Sequence, residues 1–193
     1  MRLDDRARLL CAGITAAVCV AVSVAVPTSA GSPALVEPSR STAARCPLAD
    51  ATPEQASARG LAGALRCLVN RQRSRRGLAR VHDAPVLDRI ARRFAIDMRR
   101  RGYFSHVTPD GRGLRDRVRS AGLRASGEVL AWGCGELATP AAAVRAWVAS
   151  QAHRRLVLSP RYTIIGAGVA NGAPAPVCRS AASTSVVQLG RPR

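Results

Sequence analysis

The chain has 193 residues, enough for one domain with an ordinary hydrophobic core and some additional sequence. Its 30 basic residues are all arginine and face 12 acidic residues, which gives a net charge of +18. This charge indicates attraction to anionic polymers, phospholipid headgroups or nucleic acid and says nothing about the fold; a coding bias toward arginine also explains it.

Residues 1–30 have the pattern of a signal peptide. Arginines occur at the very start, Leu9 to Val26 is apolar or small throughout, and Pro27 leads into a short segment of small residues. Because Thr28 and Ala30 occupy the two positions that a signal peptidase reads, we expect cleavage after Ala30 and secretion. The apolar run is also long enough to span a bilayer, so an uncleaved anchor is the alternative. Export makes nucleic acid an unexpected partner.

Removal of residues 1–30 leaves an even number of cysteines for an oxidising compartment, namely Cys46, Cys67, Cys134 and Cys178. Four cysteines allow three pairings. We favour Cys46 with Cys67 and Cys134 with Cys178, because each pair joins neighbouring segments of the expected fold. A zinc site made of all four thiolates is the competing interpretation, but no Cys-x-x-Cys spacing supports it.

After the signal, residues 31–50 are rich in Ser, Pro and Ala, which predicts a flexible leader. The first helix is predicted to begin at Thr52, where a proline follows the cap and Gln55 completes a capping box. An apolar residue at every third or fourth position continues this helix to about Arg75, and Gly77 ends it.

The rest of the chain alternates irregularly between helical and extended patterns. Helices are predicted from Pro85 to Gly102, over 114–121 and from Pro140, which Thr139 caps. Strands are predicted over 128–132, 162–170 and 183–189, and the last two form an antiparallel pair. Residues 51–193 are therefore expected to form one α+β domain in which about four helices pack on a small antiparallel sheet.

Two of the chain's three histidines and one glutamate point to a polar site. His106 follows Phe104-Ser105, Glu128 follows a glycine, and His153 lies in Ser-Gln-Ala-His-Arg. Two neutral imidazoles and one carboxylate suit zinc and leave a position for water, which could then be activated for hydrolysis. The carboxylate could instead act as a base without any metal, or the histidines could brace the sheet against the fourth helix by hydrogen bonds. Sequence spacing leaves these alternatives open.

Five motifs resemble the CAP superfamily, which is named for cysteine-rich secretory proteins, antigen 5 and pathogenesis-related 1. They match the bacterial branch of SCP-like extracellular domains over about Cys67 to Leu189. In chain order the motifs are Asn70-x-x-Arg73-x-x-x-Gly77-Leu78, Phe104-Ser105-His106 with Pro109-Asp110-Gly111, Gly127-Glu128, Trp147-x-x-Ser150-x-x-His153-Arg154, and Ile165-Gly166-Ala167-Gly168.

The resemblance implies a three-layer α-β-α sandwich with two histidines and two glutamates in a central cleft. His106, Glu128 and His153 match three of these positions, and Ser150 stands where the second glutamate is usual. Val129 also departs from the family's asparagine. The resemblance implies zinc, lipids or sterols as ligands.

We therefore expect a secreted, monomeric binding module with anionic envelope components or lipid as partners. The alternative is a metal-dependent hydrolase acting on envelope polymers or peptides.

Overall fold

The computed structural model describes residues 45–178 and 180–193. The predicted signal peptide and most of the predicted leader lie outside the described residues. The helices are α1 (Ala58–Ser74), α2 (Pro85–Arg101), α3 (Leu114–Arg117), α4 (Pro140–Ala149) and α5 (Gln151–Val157), and the strands are β1 (His82–Asp83), β2 (Leu123–Cys134), β3 (Ile164–Asn171) and β4 (Ala182–Pro192). Within this part of the chain, no helix is long and apolar enough to cross a bilayer.

The strands form one sheet in the order β1-β3-β4-β2. The long strands β2, β4 and β3 pair antiparallel, which confirms the predicted antiparallel pair and adds β2 to it. The two-residue strand β1 joins the edge in parallel, with His82 opposite Ile164. His82 is exposed, and its backbone amide donates to the Thr163 carbonyl at 2.9 Å, which fixes it to this edge.

The two faces of the sheet carry different helices. Odd-numbered residues of β2 and β4, such as Val129 and Val187, share a core with α1 and with Trp147 of α4. Even-numbered neighbours, such as Leu130 and Val186, pack against α2 on the opposite face. Since successive side chains of a strand point to opposite faces, this alternation places helices on both sides. The α+β class and the three-layer sandwich are thus confirmed.

The ends of α2 agree with the prediction because both signals are local. Pro85 is its first residue, and Gly102 ends it in the left-handed conformation, with φ of 67°. The predicted start of α1 is wrong. Ser57, not Thr52, caps this helix by accepting from the Gly60 amide, while the Gln55 side chain accepts from the Thr52 amide in a separate turn before it.

The helical region after Thr139 is divided at Ser150. Thr139 caps α4 as predicted, by accepting from the Ala142 amide. Ser150 has extended backbone angles (φ −75°, ψ 123°), so α4 ends there and α5 begins as a fifth helix. The His153 motif consequently lies on α5 rather than on a continuation of α4.

Both favoured disulfides are present. Cys46–Cys67 attaches the segment before α1 to the middle of that helix. Cys134–Cys178 attaches the end of β2 to the connection between β3 and β4. Since all four sulfurs are used in these bonds, the competing interpretation of a four-thiolate zinc site is wrong.

Candidate functional site

A buried carboxylate lies at the centre of the site. Glu128 is on β2, on the face that packs against α2, and its side chain is 1% exposed. It stands directly opposite Gln188 of β4 in the strand register. The Gln188 amide nitrogen donates to Glu128 Oε2 at 3.1 Å, so two adjacent strands hold this carboxylate in place.

Arg117, the last residue of α3, balances the charge of that carboxylate. Its Nη2 donates to Glu128 Oε1 at 2.8 Å and to Oε2 at 2.9 Å. The guanidinium also stacks on Phe94, with its central carbon 3.5 Å from the ring centroid, and its side chain is only 9% exposed. Cation–π contact and a charge-assisted hydrogen bond together make this a well-fixed buried ion pair.

The loop after α2 presents His106 to the same carboxylate. His106 Nδ1 lies 2.9 Å from Glu128 Oε1, and 51% of the histidine side chain is exposed. Arg117 Nη1 donates to the carbonyl oxygens of His106 and Arg112, both at 3.0 Å, which fixes the loop. Because a carboxylate only accepts, Nδ1 carries the hydrogen and Nε2 of the neutral ring carries a lone pair.

His153 lies on α5 and is half-buried. His106 and Glu128 are thus in direct contact, whereas the structure records no hydrogen bond from His153 to either of them in the described ranges. Among those residues there is also no group of three His, Cys, Asp or Glu side chains arranged to hold a metal ion.

Sequence reasoning missed Arg117 and Gln188. Arg117 is one of many arginines in the chain, and only the tertiary fold reveals that its side chain turns inward. Gln188 had been assigned to a strand, but its role follows from the register with β2. Gln188 Oε1 and Arg117 Nε lack partners among the described residues. The site therefore has one acceptor and one donor that no described residue uses.

The family model for the cysteine-rich secretory protein family, CAP, matches residues 67–180. That match covers more than half of the chain and contains every motif of the site. The chain belongs to the CAP family. In this CAP domain, Ser150 occupies the position where the resemblance implied a second glutamate, and it is the residue at which α4 ends.

Two curated relatives come from Bacillus subtilis. The chain is 34% identical to the uncharacterised protein YkwD over 103 residues, which is 52% of this chain and 39% of YkwD. It is 33% identical to the uncharacterised membrane protein YlbC over 105 residues, 53% of this chain and 29% of YlbC. The CAP chain therefore matches well under half the length of either relative.

Two solved structures share the fold. One is an extracellular SCP-domain protein of Bacillus anthracis, with a TM-score of 0.61, 25% identity, and coverage of 72% of this chain and 42% of that one. The other is an outer surface protein of Borrelia burgdorferi, with a TM-score of 0.57, 18% identity, and coverage of 67% and 90%. The second likeness is informative about the fold alone.

Zinc bound directly by Glu128 does not fit the observed contacts. A carboxylate offers about four lone-pair sites. Arg117 takes two of them, His106 one and Gln188 one. A metal ligated by Glu128 would have to displace at least one of these donors and would lie beside a buried guanidinium that already neutralises the charge. Zinc binding by His106, Glu128 and His153 stays a prediction. The group that an experiment can test for metal binding is His106 Nε2, the ring nitrogen that does not contact Glu128.

Proposed function

We propose that this CAP-domain chain is a protein of the extracellular space or cell envelope that acts as a binding module, with His106 as its ligand-contacting group. Support for the location comes from the likeness to the extracellular protein of Bacillus anthracis and from the two disulfides. The ligand is a divalent metal or a small molecule with a polar group, a class that includes lipids.

One observation carries this proposal. His106 is half exposed, yet a buried carboxylate fixes its Nδ1 side. An exposed imidazole held in one orientation presents its second nitrogen to solvent as a fixed acceptor or ligand. Carboxylate–histidine pairs of this kind support metal ligands in many proteins, with the carboxylate outside the metal's own coordination shell. In this arrangement Glu128 is a positioning residue.

The same pair favours a hydrolase as the second candidate. A histidine oriented by a buried carboxylate is the base-and-orienter half of a catalytic triad. His106 would then accept a proton from an attacking water, and Glu128 would stabilise the resulting imidazolium. The Ser105 hydroxyl accepts from the Val107 amide, which is a turn contact and not a nucleophile–base contact.

Calorimetric titration with zinc chloride, and fluorescence titration with a labelled fatty acid, test the proposal. We expect at least one of these probes to bind stoichiometrically to the protein and to lose that binding in His106→Ala. His82→Ala is the matched control, because His82 is an exposed histidine on β1 and has no contact with Glu128. Its binding should equal that of the unaltered protein.

A second variant, His106→Ala with His153→Ala, tests whether His153 of α5 is also a zinc ligand. Stoichiometric zinc binding that weakens in each single variant, His106→Ala and His153→Ala, and disappears in the double variant would assign both imidazoles to the metal. If neither probe binds in a manner dependent on His106, while His106→Ala abolishes turnover of an ester or peptide substrate, the binding module is wrong and the hydrolase is right.

A further inference from the structure

A second concave region lies apart from His106. It is a groove of about 750 Å³ between α3 with the turn after it, the first residues of β2 and the segment that leads into β3. Arginine side chains line it from all three elements, and a fifth arginine comes from the end of the sequence; these are Arg115, Arg119, Arg124, Arg161 and Arg193.

The charge of this groove is not balanced locally. No aspartate or glutamate of the described chain lines it, and only Arg119 forms an ion pair, with Asp116 at 2.8 Å. Two other cavities of similar character also contain several arginines, but each includes a carboxylate, Asp88 in one and Asp50 in the other. A uniform bias toward arginine does not account for this difference. Arg115, Arg124 and Arg161 belong to none of the ion pairs of the described residues, so their charges are uncompensated there.

A hydrogen bond and a buried side chain connect the floor of the groove to the rest of the domain. The Tyr162 hydroxyl donates to the Ser126 carbonyl at 3.2 Å, which links the segment before β3 to β2. Val118 is buried beneath the turn after α3. Arg117 at the end of α3 points inward to Glu128, whereas Arg115 of α3 and Arg119 of the turn face the groove. The arginines are therefore mounted on elements that the core and the buried ion pair hold in place.

We propose that this groove binds an extracellular anionic polymer through several of its phosphate groups. Guanidinium groups bind phosphate oxygens with paired, charge-assisted hydrogen bonds. The separate arginine-bearing walls and the size of the groove suit a chain of phosphates better than a single ion. This function goes beyond the His106 site and does not depend on it.

The composition of the groove argues against two other anionic partners. Its one aromatic residue, Tyr162, is buried and offers no free ring face, so the stacking platform that single-stranded nucleic acids use is missing from the described lining. The exposed large apolar side chains of the described residues, among them Trp132 and Leu137, lie outside the groove. A concave arginine surface without apolar anchors fits a polymer strand better than a flat lipid surface.

Inorganic polyphosphate of medium chain length is the test probe. Its affinity for the protein would be measured by calorimetry at two salt concentrations, beside the variant Arg115→Gln, Arg124→Gln, Arg161→Gln. The matched control is Arg80→Gln, Arg93→Gln, Arg155→Gln, which removes the same charge from exposed positions outside the three cavities. We expect the dissociation constant to rise by about tenfold or more in the groove variant and by less than about threefold in the control.

Two comparisons complete the experiment. Monophosphate at the same phosphate concentration should bind far more weakly than polyphosphate, since it contacts one or two arginines at a time. Equal losses of affinity in the two triple variants would show that net charge alone is responsible and would overturn the proposal. A second result would also overturn the proposal: the groove variant loses binding to phosphatidylglycerol vesicles but keeps its affinity for polyphosphate. The groove would then be a membrane contact.

Discussion

Arg117 connects more of the candidate site than any of the three residues that the sequence highlighted. It neutralises Glu128, stacks on Phe94 and fixes the backbone of the loop that carries His106. Glu128 in turn orients the His106 ring. The position of the exposed imidazole therefore depends on the buried carboxylate, and the burial of that carboxylate depends on Arg117. Substitutions of the three residues should change stability by different amounts.

Glu128→Ala is expected to destabilise the protein strongly. The substitution leaves Arg117 buried, charged and without its carboxylate, which typically costs about 3–5 kcal/mol of unfolding free energy. His106→Ala should change that free energy by less than about 0.5 kcal/mol, since the imidazole is half exposed and makes one side-chain hydrogen bond. Urea unfolding followed by circular dichroism measures both.

The double variant Arg117→Met, Glu128→Leu distinguishes an uncompensated charge from a simple loss of contacts. Removing both charges should cost less than Glu128→Ala alone, because no buried ion is left without a partner. A double variant as unstable as the sum of its single variants would contradict this explanation of the site.

At the level of elements, α2 and β3 pack closely where β3 has glycines. A Cβ atom on Gly168 of β3 would collide with the backbone of Ala91 and Arg92 in α2. These are backbone atoms near the middle of a helix, so they cannot move aside as a flexible side chain would. The absence of a side chain at Gly168 therefore permits the close approach of helix and sheet.

Gly168→Ala should lower the unfolding free energy by about 1–3 kcal/mol, as is usual when a packed interface must separate to admit a methyl group. Gly63→Ala is the control, because that glycine is also within an element, α1, and its nearest neighbour is Arg66 Nη2 at 3.9 Å. Alanine there should stabilise the protein by about 0.5–1 kcal/mol through helix propensity. Thermal unfolding of both variants should therefore shift in opposite directions; a neutral Gly168→Ala would show that the layers can separate at little cost.

What the sequence predicted about these elements depended on how local the signals were. Pro85 and Gly102 act within a single turn, so α2 was bounded correctly. The start of α1 was misplaced because Thr52 and Ser57 both offer capping hydroxyls, and the structure uses Ser57. Strand β1 has two residues, too few for any periodicity to appear.

The candidate site shows the same limit. The family motifs brought His106 and Glu128 forward, and the structure places them in contact. Arg117 and Gln188 were not identified, because their side chains reach Glu128 only after α3 and β4 have packed beside β2. The role of such a residue depends on strand register or on the orientation of a short helix, so no local sequence pattern identifies it.

At the level of the whole molecule, the exclusive use of arginine determines the response to alkaline pH. With 30 arginines and no lysine, the positive charge persists well above pH 10. The groups that titrate in that range are the two tyrosines, Tyr103 and Tyr162. Burial raises the pKa of Tyr103 well above its ordinary value of 10.0, and its hydrogen bond to Asp97 raises it further. Burial also raises the pKa of Tyr162.

These two pKa shifts predict that stability falls as the pH rises above 10. In that range the unfolded chain has released its tyrosine protons while the folded protein still holds them, so the folded state binds more protons and unfolding becomes easier with each increment of pH. Below pH 10 both states are protonated and this contribution is constant. Urea unfolding at pH 8, 10 and 11.5 should show a plateau followed by a decline.

Tyr103→Phe with Tyr162→Phe should be less stable at pH 8, having lost two hydrogen bonds. Its stability should nevertheless change little from pH 10 to 11.5, and an equally steep decline in that variant would show that other groups control the alkaline response.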